Sequence, residues 1–257
     1  MNFNLHTHTF RCHHATGTER EYIENAISSG IKLLGFSEHI PYPFDDGHES
    51  CFRLYKADMS NYFDDLKALQ KEYKNDIEIL IGFESEYYPK YFDKLLDLIA
   101  PYRPQYLLLG QHFTMNEEDG VYCMLPSDSE DRLVQYVDQV ITAMETGKFT
   151  YVAHPDVCNF TGDENVYRHH MIRLCVAAKR LNIPLELNFL GLMGHRNYPC
   201  KRFFKIAAEV GNDIVLGCDA HNPAVMITKE PVEAALAFLN EFDIKPIESI
   251  NIRYLEW

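Results

Sequence analysis

Seven short apolar runs alternate with helical stretches along this chain, and that rhythm restricts the fold more than any other feature. The predicted strands are residues 2–8, 31–38, 77–86, 105–112, 149–154, 184–189 and 213–219. Helical patterns fill the intervals at 19–29, 57–73, 91–99, 131–146, 166–181 and 200–210, with a late one near 231–240. Such alternation argues for βα units around a parallel sheet. A chain of 257 residues with no linker, repeat or low-complexity block suits one closed or distorted barrel better than a doubly wound sheet. A single domain over residues 1–257 is therefore expected, of class α/β.

Histidines and carboxylates recur at one position in this rhythm. His6 and His8, His39, Glu84, His112, His154, and Asp219 with His221 each fall at or just beyond the C-terminal end of a predicted strand. Parallel barrels carry their chemistry on that face. Residues two apart on a strand point the same way, so His6 and His8 can reach one ion, as can Asp219 and His221. Cys12-His13-His14-Ala15 follows the first strand, and either histidine there is a candidate ligand. Glu84 lies inside an apolar strand, where a lone carboxylate is costly to bury unless cations share it. Glu86, on the same strand face, is the competing candidate. Nine candidate ligands exceed what one tetrahedral zinc takes, so two or three ions sharing a carboxylate are expected. Mixed histidine and carboxylate donors point to Zn, Mn or Fe rather than Ca or Mg.

Other residues read as substrate contacts or as bystanders. Arg196, in GLMGHRNYP, offers paired donors to a phosphate. Its neighbour His195 is a further site candidate. Arg11, Arg53 and Arg168 read as surface charges, and His48, His169 and His170 as surface or helix residues.

Composition narrows the partners. A net charge of −14 argues against a nucleic-acid groove, yet it permits a small phosphorylated substrate, because bound cations set the local charge. No run approaches the ~18 apolar residues of a membrane span. The first residues, MNFNLHTHTF, lack the basic and apolar regions of a signal peptide. Seven scattered cysteines without a C-x-x-C pair read as free thiols in a reducing, cytoplasmic setting. Cys12 and Cys218 sit beside histidine motifs, although thiolate ligation is not the expected reading.

In order along the chain stand HTHT, CHHA, GFSEHIPYP, GFESEYYP, GQH, AHPD, ELNFLGL, NYP and GCDAHNP. With these strings the sequence resembles the polymerase-and-histidinol-phosphatase (PHP) family, and within it the histidinol-phosphate phosphatases. The resemblance implies a distorted (β/α)7 TIM-like barrel of PHP type holding up to three metals. It implies His6, His8, Glu84 and Asp219 around a first ion, Glu84, His112 and His154 around a second, and His14, His39 and His221 around a third. His13 stands where the family often has proline, and Cys218 where serine is common.

The resemblance further implies hydrolysis of L-histidinol phosphate to L-histidinol and phosphate, a step of histidine biosynthesis. Attack by a metal-bridging hydroxide is expected, with Glu84 at the bridge and Asp219 shuttling the proton to the leaving alkoxide; His195 and His13 are alternatives for that proton. Arg196 would bind the phosphate, and Glu38, Asp156 and His13 would hold the rest of the substrate. A phosphodiesterase, nuclease or nucleotide phosphatase of the same family would share the metal centre and differ in its pocket. A non-catalytic scaffold predicts missing ligands, whereas the set is complete.

Overall fold

The structure, a computed structural model, describes residues 1–227 and 229–257. Seven parallel strands run in chain order around it: β1 (Phe3–Asn4), β2 (Leu33–His39), β3 (Glu78–Ser85), β4 (Tyr106–Leu109), β5 (Phe149–Val152), β6 (Leu185–Asn188) and β7 (Ile214–Gly217). The ring closes just above β1 and β7. There Thr7 bridges Ala220, with His8 N donating to Ala220 O at 2.9 Å and Ala220 N to His6 O at 3.2 Å. The (β/α)7 barrel expected from the alternation is the fold observed.

Helices fill the crossovers: α1 (Glu19–Ser28), α2 (Met59–Glu72), α3 (Phe92–Ile99), α4 (Glu130–Glu145), α5 (Glu164–Leu181), α6 (Phe189–Met193), α7 (Lys201–Val210) and α8 (Glu230–Asn240). Local chemistry sets their ends. Thr18 and Glu21 form a reciprocal capping box at the start of α1, and Gly211 closes α7 at a φ of 75° that costs glycine nothing. The short α6 lies outside the helical patterns of the sequence and takes over the last residue of the sixth predicted strand. Asn188 caps it by accepting from Gly191 N at 2.9 Å, which turns the chain into a helix at the end of β6.

Strand alternation divides the interior. On β4, Leu107 and Leu109 pack outward under the helices, whereas Tyr106 and Leu108 point into the barrel. On β3, Ile79, Ile81 and Phe83 face out and Leu80 faces in, so Glu84 continues the inward row. On β6, Leu185 and Leu187 face out, which sends Glu186 and Asn188 inward. Phe3, Leu80, Tyr106 and Val215 fill the lower barrel, and Ile247, Ile250 and Ile252 of the C-terminal segment pack against them from below. The interior is therefore apolar at the bottom and ionisable at the top.

The first strand is shorter than its apolar pattern predicts, because a side chain replaces the ladder. Asn4 accepts from Cys218 N at 2.9 Å and donates to Thr7 Oγ1 at 2.8 Å. Residues 6–9 are thereby released from regular pairing and lie across the barrel mouth.

Candidate metal centre

Six strand ends deliver side chains to that mouth. His6 and His8 follow β1, His39 ends β2, Glu84 stands near the end of β3, and His112, His154 and Asp219 follow β4, β5 and β7. Two of these positions carry backbone strain: His154 has a φ of 31° and Asp219 a φ of 46°, a region non-glycine residues seldom occupy.

A first group is His6, His8, Glu84 and Asp219. His6 Nε2 lies 3.5 Å from both Glu84 Oε2 and Asp219 Oδ1, and His8 Nε2 lies 3.4 Å from the same two oxygens. Four donors about 2.1 Å from a tetrahedral cation stand roughly 3.4 Å from one another. The measured edges match that figure and are too long for hydrogen bonds. Among the described residues, His6 Nε2, His8 Nε2, His39 Nδ1 and Glu84 Oε2 are buried polar atoms without a hydrogen-bond partner. All four converge on this spot. Orphaned buried donors and acceptors are costly, and a shared cation satisfies them together.

The other oxygen of Glu84 faces a second group. Glu84 Oε1 lies 2.9 Å from His154 Nε2 and 3.6 Å from His112 Nε2. Glu84 thus presents one oxygen to each side, the geometry a bridging carboxylate needs. A third group joins His14, His39 and His221, whose donor atoms all lie within 4.8 Å of one another. His14 Nδ1 donates to Cys12 O at 2.8 Å and His221 Nδ1 donates to Asp219 O at 2.9 Å. The Cys12 thiol also lies within 4.8 Å of donors on His8 and His221, but it hydrogen-bonds to Thr9 O at 3.2 Å.

Carboxylates behind the ring orient it. Glu186 accepts from His6 Nδ1 at 2.8 Å and from His154 N at 2.9 Å. Glu86 accepts from His112 Nδ1 at 2.9 Å. The two ring contacts fix which imidazole nitrogen of His6 and of His112 is left free for a cation. Asn188 links Glu186 to Asp219, donating at 2.8 Å and 3.1 Å. Gly110 makes room for Glu84: a Cβ there would fall 1.8 Å from Glu84 Oε1.

Above the ring opens a cavity of about 530 Å³. His14, His39, His112, Asp219 and His221 form its floor, and Phe52, Phe113, Tyr122, Met124, Leu190, Arg196 and Tyr198 its walls. Arg196 Nη1 donates to Tyr198 OH at 3.0 Å, which holds the guanidinium at the wall.

Four residues expected at the substrate are not brought to this cavity. His13 takes a left-handed φ of 66° that turns its ring outward onto Tyr55, 4.1 Å between centroids. The structure thus brings His14, not His13, to the histidine cluster. His195, also left-handed, is exposed and off the lining. Glu38 is buried beneath Thr9, whose N and Oγ1 both donate to it at 2.6 Å, with its other oxygen 3.8 Å from His8 Nδ1. Asp156 is buried and accepts from Cys200 N at 2.6 Å, at the start of α7.

Arg53 overturns the surface reading given to it: it is 1% exposed and held between Glu86 and Glu117. Arg11 is also drawn inward, onto Glu19 and Asp65, whereas Arg168 stays exposed beside Glu209. Glu186 was not singled out from the sequence. The signal was available, since Glu186 interrupts an apolar strand just as Glu84 does.

The sequence matches the PHP domain family over residues 4–190. The chain belongs to the PHP domain family. Among its PHP relatives, a probable histidinol-phosphatase of Deinococcus radiodurans is 28% identical over 230 residues, covering 85% of each chain. The histidinol-phosphatase of Bacillus subtilis is 30% identical over 130 residues, 48% of this chain and 47% of that one. A Lactococcus lactis histidinol phosphate phosphatase, solved with zinc, L-histidinol and phosphate, superposes with a TM-score of 0.73. It is 17% identical and covers 99% of each chain, so it speaks for the shared fold.

Electrostatics at the PHP centre follow from the packing of opposite charges in a buried space. Burial alone would lower the pKa values of His6 and His8, but Glu186, Asp219 and Glu84 around His6, and Asp219, Glu38 and Glu84 around His8, raise both well above the ordinary value. Burial would raise Glu84 and Asp219, yet the surrounding imidazoles hold both well below the carboxylate range. Burial lowers His14 and His39, and brings His221 down to about 4. Ionised carboxylates beside imidazoles that are neutral, or that release a proton on binding, make the donor set a divalent cation requires. The residues present fit divalent metal binding.

Proposed function

We propose that this chain is a metal-dependent phosphomonoesterase that hydrolyses L-histidinol phosphate to L-histidinol and phosphate. The observation that carries the reading is the quartet of His6, His8, Glu84 and Asp219 with 3.4–3.5 Å edges, of which Asp219 reaches the floor of a cavity walled by Arg196. The names of the Deinococcus and Bacillus relatives support the substrate.

Two or three divalent cations, zinc, manganese or iron, fit the three groups: His6, His8, Glu84 and Asp219; Glu84, His112 and His154; His14, His39 and His221. When bound, they supply charge that neutralises phosphoryl oxygens and brings a water's pKa toward neutrality. Glu84 spans the first two groups through its separate oxygens and fixes their spacing. Arg196 places a permanent charge and paired donors on the phosphate and balances the negative charge that grows as water attacks phosphorus in line.

Hydrolysis requires one proton to leave the attacking water and one to reach the departing alkoxide. We assign that transfer to Asp219, which lines the cavity floor, unlike His13 and His195. The side chain of the substrate faces Phe52, Phe113 and Tyr122, whose rings suit a flat imidazole. Glu38 and Asp156, first candidates for holding it, lie off the cavity and accept from Thr9 and from Cys200 N at the start of α7. Seven free cysteines, most of them buried, support a reducing, cytoplasmic setting.

Parallel assays with L-histidinol phosphate, 4-nitrophenyl phosphate and a phosphodiester test the reading. A kcat/KM highest for L-histidinol phosphate is expected, and preference for the diester would overturn it.

A further inference from the structure

The loop after β2 and the loop after β4 meet over the cavity, and one buried cation joins them. Arg53 uses every nitrogen of its guanidinium. Nη1 donates to Glu86 Oε2 at 2.8 Å and to Ile40 O at 3.3 Å. Nη2 donates to Glu86 Oε1 at 2.9 Å and to Glu117 Oε2 at 2.8 Å, and Nε donates to Glu117 Oε2 at 3.0 Å. The planar group lies between the rings of Tyr42 and Phe52, at 5.2 and 4.7 Å from their centroids.

Its two carboxylate partners lead in different directions. Glu86 accepts from His112 Nδ1 at 2.9 Å, which turns His112 Nε2 toward Glu84 Oε1. Glu117 belongs to the loop after β4 and also receives the Ser50 hydroxyl from the loop after β2. Those loops contribute Phe52 and Phe113, stacked at 6.3 Å and 18° on the cavity wall. An arginine forks onto two carboxylates with fixed geometry, which a lysine cannot reproduce.

We propose that Arg53 is a positioning residue that couples the two halves of the active site, aligning the metal ligand His112 through Glu86 and the substrate-facing Phe52–Phe113 wall through Glu117. The inference rests on the phosphatase reading for its substrate half alone. A buried ion triad with no further role would lower stability when cut, with no division between cation binding and substrate binding. The coupling predicts such a division, because the two carboxylates serve different halves.

The test compares Glu86→Gln, Glu117→Gln, Arg53→Lys and Arg53→Met in the full chain. Zinc affinity after chelation, L-histidinol binding by calorimetry, and KM and kcat with L-histidinol phosphate are measured for each. Glu86→Gln is expected to weaken zinc binding roughly tenfold to a hundredfold, as loss of a partner behind a metal-bound histidine does. Glu117→Gln is expected to weaken L-histidinol binding and raise KM about tenfold, the worth of one charge-assisted hydrogen bond, with a smaller change in zinc affinity. Arg53→Met should show both defects, and Arg53→Lys should recover less than half of either. Should Arg53→Met fail to fold, the two glutamate variants still decide. Zinc affinity unchanged in Glu86→Gln, or the two glutamate variants showing the same pattern of losses, overturns the proposal. Zinc and L-histidinol binding need no turnover. A wild-type chain that binds zinc but neither binds L-histidinol nor hydrolyses its phosphate defeats the phosphatase reading, while the zinc arm still judges Arg53.

Discussion

His14 Nε2 and His221 Nε2 face each other at 2.9 Å, while the Nδ1 of each ring donates to a backbone carbonyl. A carbonyl oxygen only accepts, so both protons of the neutral rings are committed to Nδ1. Two lone pairs then point at one another, an arrangement that calls for a cation or a proton between them. His221 is held down to about 4, so at neutral pH a proton is a poor occupant. His14→Gln is expected to lower the divalent cation content by one per chain, read by elemental analysis of protein purified in parallel with wild type. Unchanged content would remove His14 from the ligand set.

Gly110, just beyond the neighbouring strand β4, tests the bridge. Its absent Cβ leaves the space that Glu84 Oε1 occupies, 1.8 Å from where that carbon would be. Gly110→Ala must push Glu84 aside, and overpacking of this kind costs about 1–3 kcal/mol. The variant is expected to melt at lower temperature and to lose cation content together with activity. Retention of wild-type cation content would show that Glu84 has room to relax without leaving its ligands.

Arg196 stands at the cavity wall and outside the histidine ring, so its loss should separate binding of substrate from binding of metal. Arg196→Ala is expected to raise KM for L-histidinol phosphate roughly tenfold to a hundredfold, from about 1.5–3 kcal/mol for a hydrogen bond to a charged group. Cation content should stay at the wild-type level. An unchanged KM would dismiss the phosphate contact.

The pH behaviour of the cation-free protein follows from opposite shifts within one cluster. Despite burial, neighbouring carboxylates raise His6 and His8 well above 6.5. Their contribution to stability is complete below that unfolded value and fades as pH climbs through the folded one. Glu84 and Asp219, depressed by the imidazoles around them, contribute above the unfolded values of 4.5 and 3.8 and lose that contribution as pH falls. Burial also depresses His14, His39 and His221, which destabilises the fold as pH drops below 6.5. Chelated protein should therefore melt progressively lower as pH rises above 6.5. Zinc affinity should rise over the same range, because cations displace the His6 and His8 protons. A melting temperature of the chelated protein that stays flat across that range would contradict the assignment.

Much of the site was legible because most of its ligands are polar interruptions at the ends of apolar strands. His39, Glu84, His112 and His154 all stand out that way, and barrel geometry brings such ends together whatever their separation in sequence. Glu186 carries the same signature in LELNFL and went unassigned, since His154 becomes its neighbour only when β5 pairs with β6, and His6 only on closure of the ring. Arg53 was illegible for a stronger reason. Its burial depends on Glu86 and Glu117, which lie 33 and 64 residues away, one just past the end of β3 and the other in the loop after β4. The choice between His13 and His14 rested on a single left-handed residue, and local sequence does not announce which of two adjacent histidines will take that φ. Strand ends failed where side chains took over the ladder, as Asn4 does beyond β1.

The most direct test of the shared metal centre is the cation content of the purified chain, measured alongside phosphate release from L-histidinol phosphate, for wild type and Glu84→Ala. The account predicts more than one divalent cation per wild-type chain. In the variant it predicts loss of at least one of them with a fall in turnover of about 10³-fold or more. A Glu84→Ala protein that keeps both its cations and its activity would contradict it.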